Sequence, residues 1–139
     1  MDQICGYYRE KLALVKIDFT VAPYSNCLIR GDLDRGVEVI QNLMENAIKY
    51  GDGERIDLLV SEEDGCILIS VCNSGCTLPS AELPHIFDSF WRGSNADKQK
   101  GSGLGLYICR QLMQKMGGDI FAEISDGRMI VTTIFSKFR

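Results

Sequence analysis

Three stretches of the chain place apolar residues at helical spacing. They cover residues 1–14, the segment from a cap at Asp32 or Asp34 to residue 50, and residues 104–116. In each stretch the apolar positions share one side and the charged and amide side chains fall elsewhere, which predicts an amphipathic helix with one buried face. On the second helix that face consists of Val37, Ile40, Met44, Ala47 and Ile48.

Six segments predict strands, at residues 17–21, 27–30, 55–61, 66–72, 119–125 and 128–135. Apolar and polar residues alternate in the first and in the last two, and the others are rich in strand-forming residues. The connections after the third and fifth segments contain Asp-Gly, which favours hairpin turns. The order is strand, strand, helix, strand, strand, long loop, helix, strand, strand, without the strand–helix–strand repeat of a doubly wound fold. We therefore expect an α/β two-layer sandwich in which helices cover one face of a mixed β-sheet.

Composition and charge restrict the possible functions of the chain more than its possible folds. The chain has 139 residues, 45% of them hydrophobic, which fits one domain of ordinary size. A net charge of -4 and the lack of a basic stripe argue against a nucleic-acid partner. No apolar run reaches the roughly 20 residues of a membrane span, so we expect a cytoplasmic domain. The six cysteines form no Cys-x-x-Cys pair, which favours free thiols.

The first candidate for chemistry is a loop with three alternating glycines, Gly101, Gly103 and Gly105, that leads into the third helix. These glycines leave no Cβ between the peptide N–H groups and an anion, and the start of the helix adds unpaired N–H groups. The segment predicts a phosphate site, with ordinary loop chemistry as the alternative. It matches neither a P-loop, since no Lys-Ser/Thr follows the last glycine, nor a dinucleotide fold, since no strand leads into it.

The second candidate is a polar face on the second helix. Asn42, Asn46 and Lys49 lie close together, roughly opposite its apolar stripe. Asparagine is a poor helix former that is favoured at caps, so two asparagines one turn apart in mid-helix need an explanation. A ligand site is one explanation, and a solvated polar face is the other.

Four segments in order resemble the motifs of sensor histidine kinases. They are residues 41–50 for the asparagine box, 71–79 for the first glycine box, 86–92 for the phenylalanine box and 101–108 for the second glycine box. The resemblance covers about residues 17–136. It implies the catalytic and ATP-binding domain, whose Bergerat fold is shared with DNA gyrase and the Hsp90 chaperones, with an ATP lid at about residues 76–100. Residues 1–16 would then be the end of a helical linker, and residues 17–139 the catalytic domain.

The resemblance gives roles to the polar face of the second helix. It implies that the Asn46 amide oxygen binds the Mg²⁺ of Mg·ATP, that Asn42 supports the metal or its waters, and that Lys49 and Tyr50 contact the nucleotide. ATP-hydrolysing relatives have a water-activating glutamate at the position of Asn42, so phosphoryl transfer is favoured over hydrolysis. Glu45 is interpreted as a solvated helix residue.

The base-binding segment departs from the commonest family pattern. Asn73 stands where an aspartate usually accepts a hydrogen bond from the exocyclic amine of adenine, and a neutral amide oxygen makes a weaker bond there. Thr77 replaces a usual glycine. The resemblance implies that Gly75 keeps the backbone close to the base.

The remaining implied contacts lie in the lid and the second glycine box. Arg92 and Lys98 are candidates to contact the β- or γ-phosphate, with solvated cations as the alternative, and Ser102 adds a hydroxyl group. Phe90, like Phe87, would anchor the lid, although core packing explains Phe87 equally well. The other implied nucleotide contacts are Leu78, Gly101, Gly103, Leu104, Gly105 and Leu106.

The implied function is that of a Mg²⁺- and ATP-dependent protein histidine kinase. It would transfer the γ-phosphoryl group to a histidine on a separate dimerisation domain and, through that domain, serve a response regulator. The full-length protein would be a membrane-anchored homodimer, and this chain alone a monomer. His85 is not expected to be the acceptor, because it does not lie on a long helix. The alternatives are an anti-sigma-factor type serine kinase, which lacks a phenylalanine box, and a degenerate nucleotide-sensing or interaction module, suggested by Asn73 and Thr77.

Overall fold

The computed structural model describes residues 2–21, 33–63, 65–75, 80–88 and 105–136. These residues form three α-helices, one short 3-10 helix and five strands. The helices are α1 (Asp2–Leu14), α2 (Leu33–Tyr50) and α3 (Gly105–Lys115), and the 3-10 helix is Ser80–His85. The strands are β1 (Asp18–Val21), β2 (Arg55–Glu63), β3 (Cys66–Asn73), β4 (Asp119–Ser125) and β5 (Arg128–Ser136).

The five strands form one mixed sheet in the order β1-β2-β3-β5-β4. The pair β1–β2 is parallel, and the other three pairs are antiparallel. Glu63 pairs with Cys66 and Ser125 pairs with Arg128, so both hairpins have two-residue connections. The two-layer α/β sandwich with a mixed sheet is confirmed.

One face of the sheet carries the helices. On β3 the side chains of Ile67, Ile69 and Val71 are buried in the core, and the same alternation brings Asn73 to this face. Helices α2 and α3 pack on each other and on the sheet. Their buried side chains include Val39, Ile40, Leu43, Met44, Ala47, Leu106, Cys109 and Met113. Hydrophobic packing therefore fixes the position of both helices that carry candidate site residues.

Helix α1 contributes to the same core. Tyr8 and Leu12 are buried, whereas Tyr7 is 56% exposed, so the apolar stripe of α1 is narrower than the spacing predicts. The Tyr8 hydroxyl donates to the Glu45 carboxylate at 2.6 Å, and Lys11 Nζ lies 2.9 Å from the same carboxylate. Residues 1–16 remain a predicted linker segment, but α1 is held on the domain by core packing and by these polar contacts.

Two predictions fall on residues that the structure does not describe. The predicted strand at residues 27–30 lies outside the described residues, as does the predicted lid except for residues 80–88. The three cysteines whose side chains are described, Cys66, Cys72 and Cys109, are free thiols, as expected. No helix in the described ranges combines the length and the apolar character that crossing a membrane requires.

Candidate nucleotide-binding site

The asparagine face of α2 lies at the edge of the helix layer. Asn42 and Asn46 are one turn apart on the same side of the helix, and both side chains are half-buried. Lys49, also half-buried, follows on the next turn, and Tyr50 is the last residue of α2. A fully solvated polar face, the alternative interpretation of these amides, does not fit their burial.

A buried thiol links this face to α3. Cys109 Sγ lies 3.7 Å from the carbonyl oxygen of Val39, to which it donates, and the Asn42 side chain lies near the same thiol. Burial, with the nearby negative charge of Glu38, raises the pKa of the Cys109 thiol to about 12, although the Asn42 side chain opposes this shift. Cys109 lies one turn beyond Gly105, where α3 begins. The packing therefore brings the first turn of α3 close to Asn42.

Leu106, an implied nucleotide contact, lies in that first turn of α3. Its side chain belongs to the hydrophobic core and is 7% exposed. Only its backbone N–H group is therefore suited to a phosphate site at the helix N-terminus.

Asn73 lies at the end of β3, next to the C-terminal end of α2. It is 3% exposed, and its Nδ2 donates to the Ser74 carbonyl oxygen at 3.3 Å. Among the described residues its Oδ1 has no hydrogen-bond partner. Gly51 makes the close approach possible, because a Cβ there would lie 3.2 Å from Asn73 Nδ2 and 2.7 Å from the Ala47 carbonyl oxygen. The result is a buried acceptor beside the asparagine helix.

Two neighbouring residues that sequence reasoning missed hold this turn. Ser74 Oγ donates to Asp52 Oδ1 at 2.6 Å, and the Asp52 N–H donates to the Ser74 carbonyl oxygen at 3.1 Å. Gly75 has φ +71°, and a Cβ there would lie 2.3 Å from atoms of the Asp52 side chain. Asp52 and Ser74 are 22 residues apart in sequence, so no motif signals their contact.

Glu45 also differs from its expected role. Its side chain is 47% exposed, but it accepts hydrogen bonds from Tyr8 and Lys11 of α1 and is not simply solvated. Burial favours a raised pKa, but the bonds from Tyr8 and Lys11 outweigh it, and the pKa of Glu45 is lowered. The hydrogen bonds of this carboxylate are therefore made with residues of α1.

The start of the lid is described only as far as residue 88. Phe87 is half-buried against the core, and the Arg110 guanidinium lies 5.9 Å from the centre of its ring. His85 is exposed and pairs with Asp88 at 3.1 Å, which agrees with the prediction of a surface histidine. Core packing is therefore sufficient to explain Phe87.

Several implied nucleotide contacts lie outside the described residues and stay predictions. They are Thr77, Leu78, Phe90, Arg92, Lys98, Gly101, Ser102, Gly103 and Leu104. In the part of the chain that is described, no three His, Cys, Asp or Glu side chains come together as a metal site.

A family comparison gives the class of this fold and site. The model described as histidine kinase-, DNA gyrase B- and HSP90-like ATPase matches residues 31–138. The chain belongs to this family. With its sensor histidine kinase relatives, this match defines the chain as an ATP-binding catalytic domain of the sensor histidine kinase type.

Individual relatives agree with this class. The sensor histidine kinase WalK of Bacillus subtilis (strain 168) is 33% identical over 122 residues, which cover 84% of this chain and 20% of WalK. The nucleotide-free catalytic domain of histidine kinase ThkA superposes with a TM-score of 0.84 at 27% identity, over 98% of this chain and 90% of that one. The structure of ThkA in complex with response regulator protein TrrA superposes with a TM-score of 0.80 at 26% identity, over 99% of this chain and 39% of that one. The chain thus spans about a fifth of WalK.

Proposed function

We propose that this domain binds Mg·ATP between α2 and the N-terminus of α3 and supplies the γ-phosphoryl group for a histidine on a separate helical domain. One observation carries the proposal. The buried Oδ1 of Asn73, which has no hydrogen-bond partner among the described residues, lies next to the C-terminal end of α2, and the half-buried amides of Asn42 and Asn46 lie on the same helix, which packs on α3. A hydrogen-bond acceptor for the base, oxygens for the metal and a helix N-terminus for the phosphates are the groups that binding of a nucleoside triphosphate requires.

Each group has a task that its chemistry permits. Asn73 Oδ1 accepts from the exocyclic amine of adenine, and Gly75 leaves the backbone free to approach the ring. Asn46, with support from Asn42, would hold Mg²⁺ through amide oxygen, and the ion would neutralise charge on the phosphates. The first turn of α3 and the glycine loop before it bind phosphate oxygens through N–H groups. Catalysis then depends on positioning more than on covalent chemistry.

Hydrolysis is disfavoured because α2 offers no activated base beside Asn46. Asn42 is an amide, and the adjacent carboxylate of Glu45 is bound by Tyr8 and Lys11. A water-activating role needs a carboxylate within hydrogen-bond reach of the attacking water. We therefore propose phosphoryl transfer to a protein histidine, with a response regulator as the next acceptor, as the complex of the similar kinase ThkA with TrrA suggests. The full-length protein would be a membrane-anchored homodimer.

Calorimetric titration with ADP and with a non-hydrolysable ATP analogue, each with and without Mg²⁺, tests the site. Adenine-selective, Mg²⁺-dependent binding is expected. Asn46→Ala should weaken the Mg²⁺-dependent binding by about tenfold or more, because metal sites lose about 10–100-fold on such changes. Gln41→Ala is the matched control, since it removes an exposed amide from the same helix.

Binding that depends on neither Mg²⁺ nor the identity of the base would contradict the kinase site and favour the interaction module.

Phosphoryl transfer is tested separately with γ-labelled ATP. The isolated domain should gain no acid-labile label, since its single histidine, His85, is paired with Asp88 on the surface. The full-length protein should gain it, and Asn46→Ala should remove it. Stable phosphohistidine on the domain alone would refute the assignment of the acceptor to another domain.

A further inference from the structure

The turn formed by residues 73–75 is held by the loop that follows α2. Asp52 Oδ1 accepts from Ser74 Oγ at 2.6 Å and from the Glu54 N–H at 3.0 Å, and the Asp52 N–H donates to the Ser74 carbonyl oxygen at 3.1 Å. Ser74 is also tied to Arg55, whose N–H donates to Ser74 Oγ at 3.0 Å. The bond from Ser74 lowers the pKa of the Asp52 carboxyl, so it is an ionised acceptor at neutral pH.

The same carbonyl oxygen of Ser74 decides which way the Asn73 amide faces. An oxygen acceptor bonds only to a donor, so the amide atom 3.3 Å from this carbonyl must be the nitrogen. Asn73 then has only its oxygen left for a ligand. Rotated by half a turn, the amide would offer N–H groups instead, and would suit the 6-oxo group of guanine or hypoxanthine and not the 6-amino group of adenine.

We propose that Asp52 is a positioning residue for base specificity. It holds the Ser74 carbonyl that orients the Asn73 amide with its oxygen toward the base. The inference rests on the proposed nucleotide site. Two features make Asp52 suited to this task. Its backbone N–H donates to the Ser74 carbonyl oxygen while its carboxylate accepts from the Ser74 hydroxyl group, and it packs directly on Gly75, where no Cβ would fit.

A carboxylate at residue 73 would not need such orientation, because both of its oxygens accept. This difference separates positioning from general support of the fold. If Asp52 orients the amide, its removal should reduce base discrimination in the natural chain but not in the Asn73→Asp variant. If Asp52 only stabilises the loop, its removal should affect both backgrounds alike.

The experiment compares ADP with IDP, which carries a 6-oxo group, by calorimetry at fixed Mg²⁺. The natural chain should prefer ADP, and Asp52→Ala should lower the IDP-to-ADP ratio of dissociation constants by about five- to tenfold, the effect of one hydrogen bond. Asp52→Asn, which keeps an acceptor oxygen for Ser74 Oγ, should retain the ratio. In the Asn73→Asp background, Asp52→Ala should leave the ratio unchanged.

Three results would contradict this proposal. An unchanged ratio in Asp52→Ala, equal weakening of both nucleotides, or the same loss of ratio in the Asn73→Asp background would overturn the proposal. If Asp52→Ala does not fold, Ser74→Ala removes the hydroxyl that Asp52 holds and decides the question by the same ratios. Failure of the natural chain to bind ADP at all would instead overturn the proposed function, and this inference with it.

Discussion

Replacing Tyr8 with phenylalanine tests how α1 is held on the domain. The Tyr8 ring is 2% exposed, so the substitution keeps the core packing and removes only the hydroxyl. That hydroxyl donates to the Glu45 carboxylate at 2.6 Å, a bond between residues 37 positions apart. Its loss therefore measures the contact of this hydroxyl group with α2, where the Gln41 carbonyl oxygen also lies 3.5 Å from it.

The size of the effect follows from the surroundings of this contact. A hydrogen bond to a charged group contributes about 1.5–3 kcal/mol to stability. The Glu45 side chain is 47% exposed, and solvent screening reduces such contributions, so we expect about 1–2 kcal/mol. For a domain of this size, this corresponds to a fall in Tm of about 3–7 °C.

The contribution should depend on pH with a definite sign. Burial favours a raised pKa of Glu45, but hydrogen bonds from Tyr8 and Lys11 and the charges of Lys11 and Lys49 lower it overall. A carboxyl with a depressed pKa in the folded state contributes its full stability above its unfolded-state pKa. The stability difference between the natural chain and Tyr8→Phe should therefore be constant at neutral pH and shrink as pH falls through the lowered pKa.

Urea denaturation of Tyr8→Phe, Glu45→Ala and the double variant gives the coupling free energy directly. Tyr7→Phe is the matched control, because this neighbouring tyrosine is 56% exposed and its side chain interacts with Lys11. The control should change stability by less than about 0.5 kcal/mol. A Tyr8→Phe effect no larger than that of Tyr7→Phe, or a coupling near zero, would refute the reasoning.

Two further predictions concern packing and reactivity. Gly118→Ala should destabilise the domain by about 1–3 kcal/mol in urea denaturation, because the new Cβ would lie 2.2 Å from the Ile134 carbonyl oxygen. Gly6→Ala, at an exposed position of α1 where a Cβ would meet nothing within 4 Å, should instead stabilise by up to about 1 kcal/mol, and equal effects of the two substitutions would contradict the packing. The Cys109 thiol, whose burial raises its pKa to about 12, should resist iodoacetamide in the native protein while half-buried Cys66 reacts. Equal mass-spectrometric labelling would contradict this.

The sequence predicted the sheet and helices well because their periodicities are local. The β-rich, apolar sequence of residues 66–72 predicted a buried strand, and Ile67, Ile69 and Val71 of β3 are buried in the core. The spacing in α1 predicted a helix, but it could not decide which tyrosine faces the core. Tyr7 and Tyr8 are about 100° apart around the helix, and only packing against other elements selects Tyr8.

The candidate site was predictable in its motifs and not in its supporting contacts. Asn42 and Asn46 were singled out from residue type and spacing, and Asn73 from the family resemblance; Asn42 and Asn46 lie half-buried on α2, and Asn73 ends the central strand β3. Glu45 was interpreted as solvated because its partners lie on α1, more than thirty positions earlier. Such contacts depend on tertiary packing, which no local pattern records.

The exchange of the usual aspartate for Asn73 shows why a motif position cannot be interpreted alone. A carboxylate has two equivalent acceptors, so its loss considered alone predicts only weaker binding of the base amine. An amide has a donor end and an acceptor end, so its effect on base binding depends on a second residue that fixes which end faces the base. In this chain the choice is made by the Ser74 carbonyl, which the Asp52 N–H also contacts. A departure from the family pattern at Asn73 is thus compatible with adenine selectivity only while that turn is held, and base selectivity should follow Asp52 and Ser74 as closely as it follows Asn73.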